Sequence, residues 1–422
     1  MTIALFLLVL FAAMTVGVPI AFALMLTALA LMVHLDFFDA QLLAQNVQAG
    51  FDSFPLLAVP FFILAGELMN AGGLSRRIID LARAFVGHIP GGLGYVAIAA
   101  SVMLASMSGS AIADTAALAT LLLPMMRQQR YPEGTSAGLI ASGGIIAPII
   151  PPSMPMVIYG VTTNTSISKL FLAGIVPGLL MAVSLVLVWR RIAGKEQLPV
   201  AEKTDWSHRR RVLASSIWAL FMPVIIIGGL RLGIFTPTEA AVVAAVYALI
   251  VAMFVYRELS VTGLYRVFVD AGRTTGVVMF LCGAATAASY MITLADLPNQ
   301  LADVMGPLLQ NPMLFMAVVA LFLLAVGMVM DLTPTILILA PVLAPLAAKA
   351  GIDPVYFGFV FIFVGCLGLL TPPVGTVLNV VAGVGGLRME QVIRGVTPFL
   401  LIYVAMLVLL IVFMVAAPLS TV

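Results

Sequence analysis

Two stretches of this 422-residue chain set proline, glycine and hydroxyl groups inside otherwise apolar sequence. The first is Ser142-Gly143-Gly144-Ile145-Ile146-Ala147-Pro148-Ile149-Ile150-Pro151-Pro152-Ser153. The second is Gly365-Cys366-Leu367-Gly368-Leu369-Leu370-Thr371-Pro372-Pro373-Val374-Gly375. Proline removes a backbone donor and clashes with the preceding turn, so neither stretch can continue as a regular helix. In hydrocarbon each freed carbonyl costs several kcal/mol unless something satisfies it, so irregular backbone must be buried in protein or line a wet site. Carbonyls turned out of a helix are ligands for a hard cation such as Na⁺, and half-helix ends present their dipoles to anions. The competing reading is a pair of proline kinks that only shape a helical bundle. A device that occurs twice in matching places favours the ligand reading.

Each broken stretch is preceded by a second irregular element. These are Ser106-Met107-Ser108-Gly109-Ser110-Ala111-Ile112-Ala113-Asp114-Thr115 and Gly327-Met328-Val329-Met330-Asp331-Leu332-Thr333-Pro334-Thr335. Small residues allow close backbone approach, and hydroxyls add oxygen ligands. Each element carries one carboxylate within apolar sequence, and ionisable groups there are functional candidates by default. Asp114 and Asp331 also fit as caps for the helices that follow, accepting hydrogen bonds from orphan amides. The polar run Thr162 to Ser168, which includes Asn164, and Lys169 after it offer hydrogen bonds to a solute or form a plain loop. Glu67, Glu239 and Asp296 fall within or beside apolar runs and have boundary explanations.

The punctuation recurs. Gly144, Pro151, Gly174 and Pro177 precede Gly365, Pro372, Gly395 and Pro398 by a constant 221 residues. Asp114 and Pro124 precede Asp331 and Pro341 by 217, a change that a four-residue loop difference would explain. An ordered series of this kind indicates an internal repeat, the construction typical of secondary transporters. Spacing alone does not separate a parallel repeat from an inverted one.

The elements that must position these groups are membrane helices. Of the residues, 63% are hydrophobic and 9% charged, against roughly 45–50% and about 25% in soluble domains. Apolar runs of about 20 residues, the length that spans a bilayer, recur roughly a dozen times. The run from residue 3 to 33 reads as a retained membrane segment, since no basic region precedes it. Trp189 to Arg211 carries seven Lys or Arg and is the one long polar stretch, a cytoplasmic linker by the positive-inside rule. It divides the chain into halves 1–188 and 212–422. Ser75 to Phe85 and Leu259 to Arg273 are amphipathic and read as interfacial helices.

Several classes are excluded. The net charge of +2 offers no nucleic-acid footprint. Cys282 and Cys366 lie in apolar runs without metal spacing, and the three histidines form no cluster, so no cofactor is expected. There is no P-loop, HExxH or GxSxG motif.

Taken together, these motifs resemble the large membrane subunit (DctM type) of the tripartite ATP-independent periplasmic, or TRAP, transporters. The resemblance rests on Ser108-Gly109-Ser110 with Asp114, the run Ala147 to Ser153, Lys169-Leu170-Phe171 leading to Gly174-Ile175-Val176-Pro177-Gly178, Phe235-Thr236-Pro237-Thr238-Glu239-Ala240, Gly327 to Pro334, and Thr371-Pro372-Pro373. It covers essentially the whole chain. Ser142 to Ser153 and Val329 to Pro334 look most like the branch that carries 2,3-diketo-L-gulonate.

The resemblance implies an all-α polytopic protein of the bacterial inner membrane. It implies two inverted repeats, each with a re-entrant hairpin and a Pro-broken helix, and a transport domain that moves past a scaffold as an elevator. It further implies Na⁺ as coupling ion, a small organic anion delivered by a periplasmic substrate-binding protein, and a partner membrane subunit of about four helices. Carried onto this chain, one Na⁺ site uses Ser106, Ser108 and Ser110 with carbonyls of Ala147, Ile150 and Pro152. The other uses Gly327, Gly368, Thr371 and Val374. Asp114, Ser153, Asn164, Asp331, Thr333 and Asn379 are candidates for the substrate and the hairpins. One departure is Ala147, where the family often has Gly. A stand-alone ion-coupled anion permease is the alternative, and an intramembrane aspartyl hydrolase the remote one.

Overall fold

The computed structural model describes residues 2–196, 198 and 205–416, all of them in helices or their connections. The apolar N-terminal run does not form one span. It is cut at Gly17, whose φ of 87° belongs to the left-handed region, into α1 (Thr2–Thr15) and α2 (Ile20–His34), which pack on each other. α3 (Ala40–Phe51) starts at Asp39, whose carboxylate accepts from the Gln41 and Leu42 amides, at 2.8 and 3.0 Å. α4 (Ala58–Ala71) follows a short 3₁₀ turn. α5 (Leu74–Val86) is amphipathic, burying Leu74, Ile78, Ile79 and Leu81 while Arg76, Asp80 and Arg83 face out. The amphipathic pattern expected for this segment is therefore present, with its apolar face buried in the protein.

The first motif region follows as α6 (Gly92–Ser108), α7 (Ala111–Gln128), α8 (Glu133–Gly144), α9 (Met154–Thr163) and α10 (Ile167–Lys195). α10 runs well into the predicted linker, and α11 (Trp206–Arg231) begins inside it. Part of the linker, Gln197 and residues 199–204, lies outside the described residues. Trp189, placed in the linker by its charge pattern, is instead fully buried, and its indole N–H donates to the Gly91 carbonyl at 2.9 Å.

α12 (Pro237–Ile250) opens with a capping box in which Thr236 and Glu239 satisfy each other's amides, so Glu239 is a boundary residue. α11 is tied to α12 by the Tyr247 hydroxyl donating to the Trp218 carbonyl, and to the segment after α12 by the Tyr256 hydroxyl donating to the Ser215 carbonyl. α13 (Val261–Leu294) absorbs the segment from Leu259 to Arg273 that the sequence marks as interfacial. Its 34 residues extend about 50 Å, longer than the hydrocarbon core, so the polar N-terminal turns project beyond it without a separate helix.

The second motif region repeats the first. After the short α14 (Leu297–Val304) and α15 (Gly306–Leu309) come α16 (Pro312–Gly327), α17 (Leu332–Lys349), α18 (Pro354–Leu369), α19 (Thr376–Gly385) and α20 (Met389–Ala416). α17 has the same length as α7 and begins 221 residues later. That single register corrects the pairing of the two aspartates. Asp331 corresponds to Ser110, each at the N-cap, while Asp114 corresponds to Thr335. Pro124 matches Pro345 and not Pro341, and no loop difference is needed.

Among the described residues seven helices are long and apolar enough to cross a membrane, and seven further apolar helices are shorter. The count of full spans is below the dozen apolar runs because Gly and Pro divide several of them. α18 is apolar all round and buried continuously from Tyr356 to Leu369, so it forms the centre of the bundle. Contacts between the two regions are reciprocal: α7 packs on α19, and α17 packs on α9. α8 lies against α20, with the Tyr403 hydroxyl donating to the Ser142 carbonyl at 3.0 Å in a buried position.

Candidate functional site

The first hairpin turns at Gly109, which ends α6 with φ 63°. A Cβ there would sit 2.6 Å from the Pro152 carbonyl oxygen and 3.1 Å from the Met154 nitrogen. Only glycine combines this backbone angle with so close an approach, so the hairpin tip lies directly on the broken stretch. The Ser110 hydroxyl caps α7 by accepting from the Ala113 amide. The Ser108 hydroxyl accepts from the Ser110 amide and donates to the Asp114 carboxylate. Ser106 turns back to the Met103 carbonyl at 2.7 Å.

Between α8 and α9 the backbone passes through 3₁₀-type turns. Ile146 donates to Gly143, Ala147 to Gly144 and Ile149 to Ile146, at 3.0–3.2 Å. Both Pro151–Pro152 and Pro372–Pro373 are cis. Ser153 then caps α9, its hydroxyl donating to the Pro148 carbonyl at 2.6 Å and accepting from the Met156 amide. Among the described residues no hydrogen bond falls on the carbonyls of Ala147, Ile150 or Pro152. These buried acceptors, beside a tip lined with hydroxyls, are the donor set a hard cation takes.

The second region brings its elements together differently. Gly327 and Gly368 touch backbone to backbone: a Cβ on Gly368 would lie 2.6 Å from the Gly327 Cα. The Val374 and Gly375 amides both donate to the Met328 carbonyl, tying the second tip to the second break. The Gly368 carbonyl already accepts from Thr371, and that of Val374 from the Asn379 side-chain amide at 2.8 Å. The carbonyls of Gly327 and Thr371 accept no hydrogen bond from described residues. The Thr371 hydroxyl donates to Leu367 at 2.6 Å. Asp331 holds the N-cap position of α17 without a side-chain capping bond, and Thr333 is the second residue of that helix.

Asn164 does not join either group. It is the exposed C-cap of α9, with φ 54°, while the break lies at the opposite end. Ten residues at 1.5 Å each put them about 15 Å apart. Asp114 is not a cap either. It is the fourth residue of α7, behind the capping Ser110, and it is buried with Oδ2 free of any hydrogen bond. Sequence reasoning passed over Thr115, which is fully buried against Gly144 with an unpartnered hydroxyl. Its only signal is adjacency to Asp114. Among the described residues no group of three His, Cys, Asp or Glu could hold a transition metal.

The DctM component model of the tripartite ATP-independent periplasmic transporters matches residues 7–416. The chain belongs to this family. It is a transporter subunit and not an enzyme, a multi-pass protein of the bacterial inner membrane. It is 54% identical to the 2,3-diketo-L-gulonate TRAP transporter large permease protein YiaN of Escherichia coli, over 97% of this chain and 96% of that one. It is 40% identical to the sialic acid TRAP transporter large permease protein SiaM of Vibrio cholerae, over 94% of this chain and 93% of that one. In fold this TRAP permease is similar to the Alcanivorax borkumensis YdaH transporter, whose crystal structure was described as having an unusual topology. The TM-score is 0.63 at 16% identity, covering 89% of this chain and 87% of that one.

Proposed function

We propose that this TRAP permease imports a small carboxylate, a sugar acid such as 2,3-diketo-L-gulonate, driven by Na⁺. The observation that carries the reading is the set of unbonded carbonyls on both broken stretches, each held against a hairpin tip. Na⁺ entering the first site meets Ser108 and Ser110 on the tip and the carbonyls of Ala147, Ile150 and Pro152 on the break. Na⁺ entering the second meets Gly327 and Thr371, with Gly368 and Val374 contributing their remaining lone pairs. A bound ion holds tip to break in each half. It also brings positive charge to the half-helix ends, where an anion is then favoured. The two inverted halves, 1–188 and 212–422, carry their hairpins and broken helices as one transport domain past a scaffold that includes α4, α5, α11 and α12. The reciprocal packing of α7 on α19 and of α17 on α9 supports motion as a unit.

The partners are a small membrane subunit and a periplasmic substrate-binding protein, consistent with the tripartite family description. The sugar-acid reading draws on the substrate named for the Escherichia coli relative. It is tested by uptake of labelled 2,3-diketogulonate, alone and against other carboxylates, into vesicles holding this chain and its small subunit. The expected result is uptake that needs the binding protein and is competed best by sugar acids. Equal uptake without binding protein would support a stand-alone anion permease in its place.

A further inference from the structure

Among the described residues every Lys and Arg side chain is exposed except those of Arg77 and Arg209, which are partly buried. Arg77 has Glu258 at 2.7 Å. Arg209, in the first turn of α11, pairs with no carboxylate among the described residues. Its Nε is enclosed without a hydrogen-bond partner, its guanidinium carbon lies 5.9 Å from the centre of the Phe85 ring, and its Nη2 is 3.4 Å from His88 Nδ1. Asp205, the N-cap of α11, is engaged by the amide and hydroxyl of Ser207. A guanidinium held by packing without an acceptor is costly, and native proteins supply the acceptor. The helix dipole adds to the cost, since Arg209, Arg210 and Arg211 stand at an N-terminus, where an anion is favoured and a cation is not. His88 lies in the turn between α5 and α6, and a Cβ on Gly91 of that turn would meet Ala193 of α10 at 2.7 Å. α10 carries exposed Arg190 and Arg191 just before that contact. Trp206 and Leu213, one turn to either side of Arg209 on α11, are exposed, as are Phe85 and Ile89 opposite them. The positive-inside rule puts this edge at the cytoplasmic surface. A basic crevice with an apolar rim at that level suits a charged headgroup with acyl chains beside it.

We propose that the crevice between α5 and α11 binds an acidic phospholipid, with its phosphate on the Arg209 guanidinium and its acyl chains against Leu213 and Phe85. Nε is enclosed, so Nη1 and Nη2 meet the phosphate, a pairing that suits the planar fork of arginine. The exposed arginines on α10 and α11 add longer-range attraction for a negative headgroup. Bound there, the lipid joins α11 to the turn that starts α6, the first arm of the first hairpin. It also supplies the anion that the N-terminus of α11 lacks. The inference is independent of the coupling ion and uses none of the residues of the two candidate ion sites.

The test uses the full chain with its small subunit in a neutral detergent, titrated with phosphatidylglycerol, phosphatidylcholine or inorganic phosphate. The readouts are the unfolding temperature and the mass of lipid retained on the protein. Phosphatidylglycerol is expected to raise the unfolding temperature and to be retained at concentrations where phosphatidylcholine and phosphate have no effect. Arg209→Gln is expected to raise the half-saturating phosphatidylglycerol concentration about tenfold. Arg210→Gln, the same change of charge on an exposed neighbour, is expected to raise it less than about twofold. If Arg209→Gln is not recovered from the membrane, Arg209→Lys keeps the charge, loses the fork and is expected to weaken binding about threefold. A wild type that does not distinguish phosphatidylglycerol from phosphatidylcholine would overturn the proposal. Equal losses in Arg209→Gln and Arg210→Gln would also overturn it, because the attraction would then belong to a diffuse basic surface. So would a wild-type response from Arg209→Lys. A matching response to inorganic phosphate alone would overturn the lipid assignment in favour of a soluble anion.

Discussion

Gly368→Ala tests the contact on which the proposed second ion site depends. The added Cβ would lie 2.6 Å from the Gly327 Cα and 2.7 Å from its carbonyl carbon, whereas ordinary contact begins near 3.4 Å. Both neighbours are backbone atoms on α16, so no side chain can rotate away. The helices must separate locally by about 0.8 Å, and overpacking of this kind costs about 1–3 kcal/mol. Gly368 is in α18, buried on all sides, so the strain cannot be relieved outward. If the separation falls on the tip and the break, the open Gly327 carbonyl moves away from Thr371. Each 1.4 kcal/mol lost from the bound state is tenfold in apparent affinity. The expected result is a rise in half-saturating Na⁺ of about tenfold or more, at normal abundance in the membrane. The assay is Na⁺-activated uptake in vesicles, with Gly272→Ala as control, since a Cβ there meets nothing within 4 Å. Wild-type Na⁺ activation in Gly368→Ala would refute the claim that this backbone contact shapes an ion site.

Two further predictions concern stability. Trp189→Phe removes the donor to Gly91 from a fully buried position and weakens the stack on Tyr131, so unfolding in detergent should come earlier by about 1–3 kcal/mol. Arg77 joins α5 to the segment after α12, pairing with Glu258 at 2.7 Å and lying 3.7 Å over the Tyr256 ring. Because both partners of that pair are partly exposed, Arg77→Ala should cost about 1–2 kcal/mol. Arg394→Ala, which loses an almost fully exposed pair with Glu390, should cost under about 0.5 kcal/mol, a difference visible in paired thermal unfolding curves.

What the sequence disclosed follows from the strength of its local rules. Proline and glycine interrupt helices irrespective of tertiary context, so Ala147 to Ser153 and Leu370 to Gly375 were legible as breaks, and Ser106 to Thr115 as an irregular element. The register of 221 was legible for the same reason. The aspartate pairing went astray because Pro341 and Pro345 both lie in α17, four residues apart, and spacing alone cannot choose between them. The whole helix decides, since α7 and α17 match end to end. Asn164 was chosen for polarity, but polarity does not reveal which end of a short helix faces the break. The apolar run from 3 to 33 hid a turn because a single glycine carries the reversal at Gly17. Tyr403 gave no signal, since its hydroxyl bond to Ser142 joins residues 261 apart in the chain.

The most direct test of Na⁺ coupling is substrate accumulation driven by an imposed ion gradient. Vesicles would hold this chain with its small subunit, substrate-loaded binding protein outside, and the membrane potential clamped by an ionophore. An inward Na⁺ gradient is predicted to drive accumulation above equilibrium, and dissipating it should abolish the accumulation. Accumulation that follows a proton gradient and persists without Na⁺ would contradict the account.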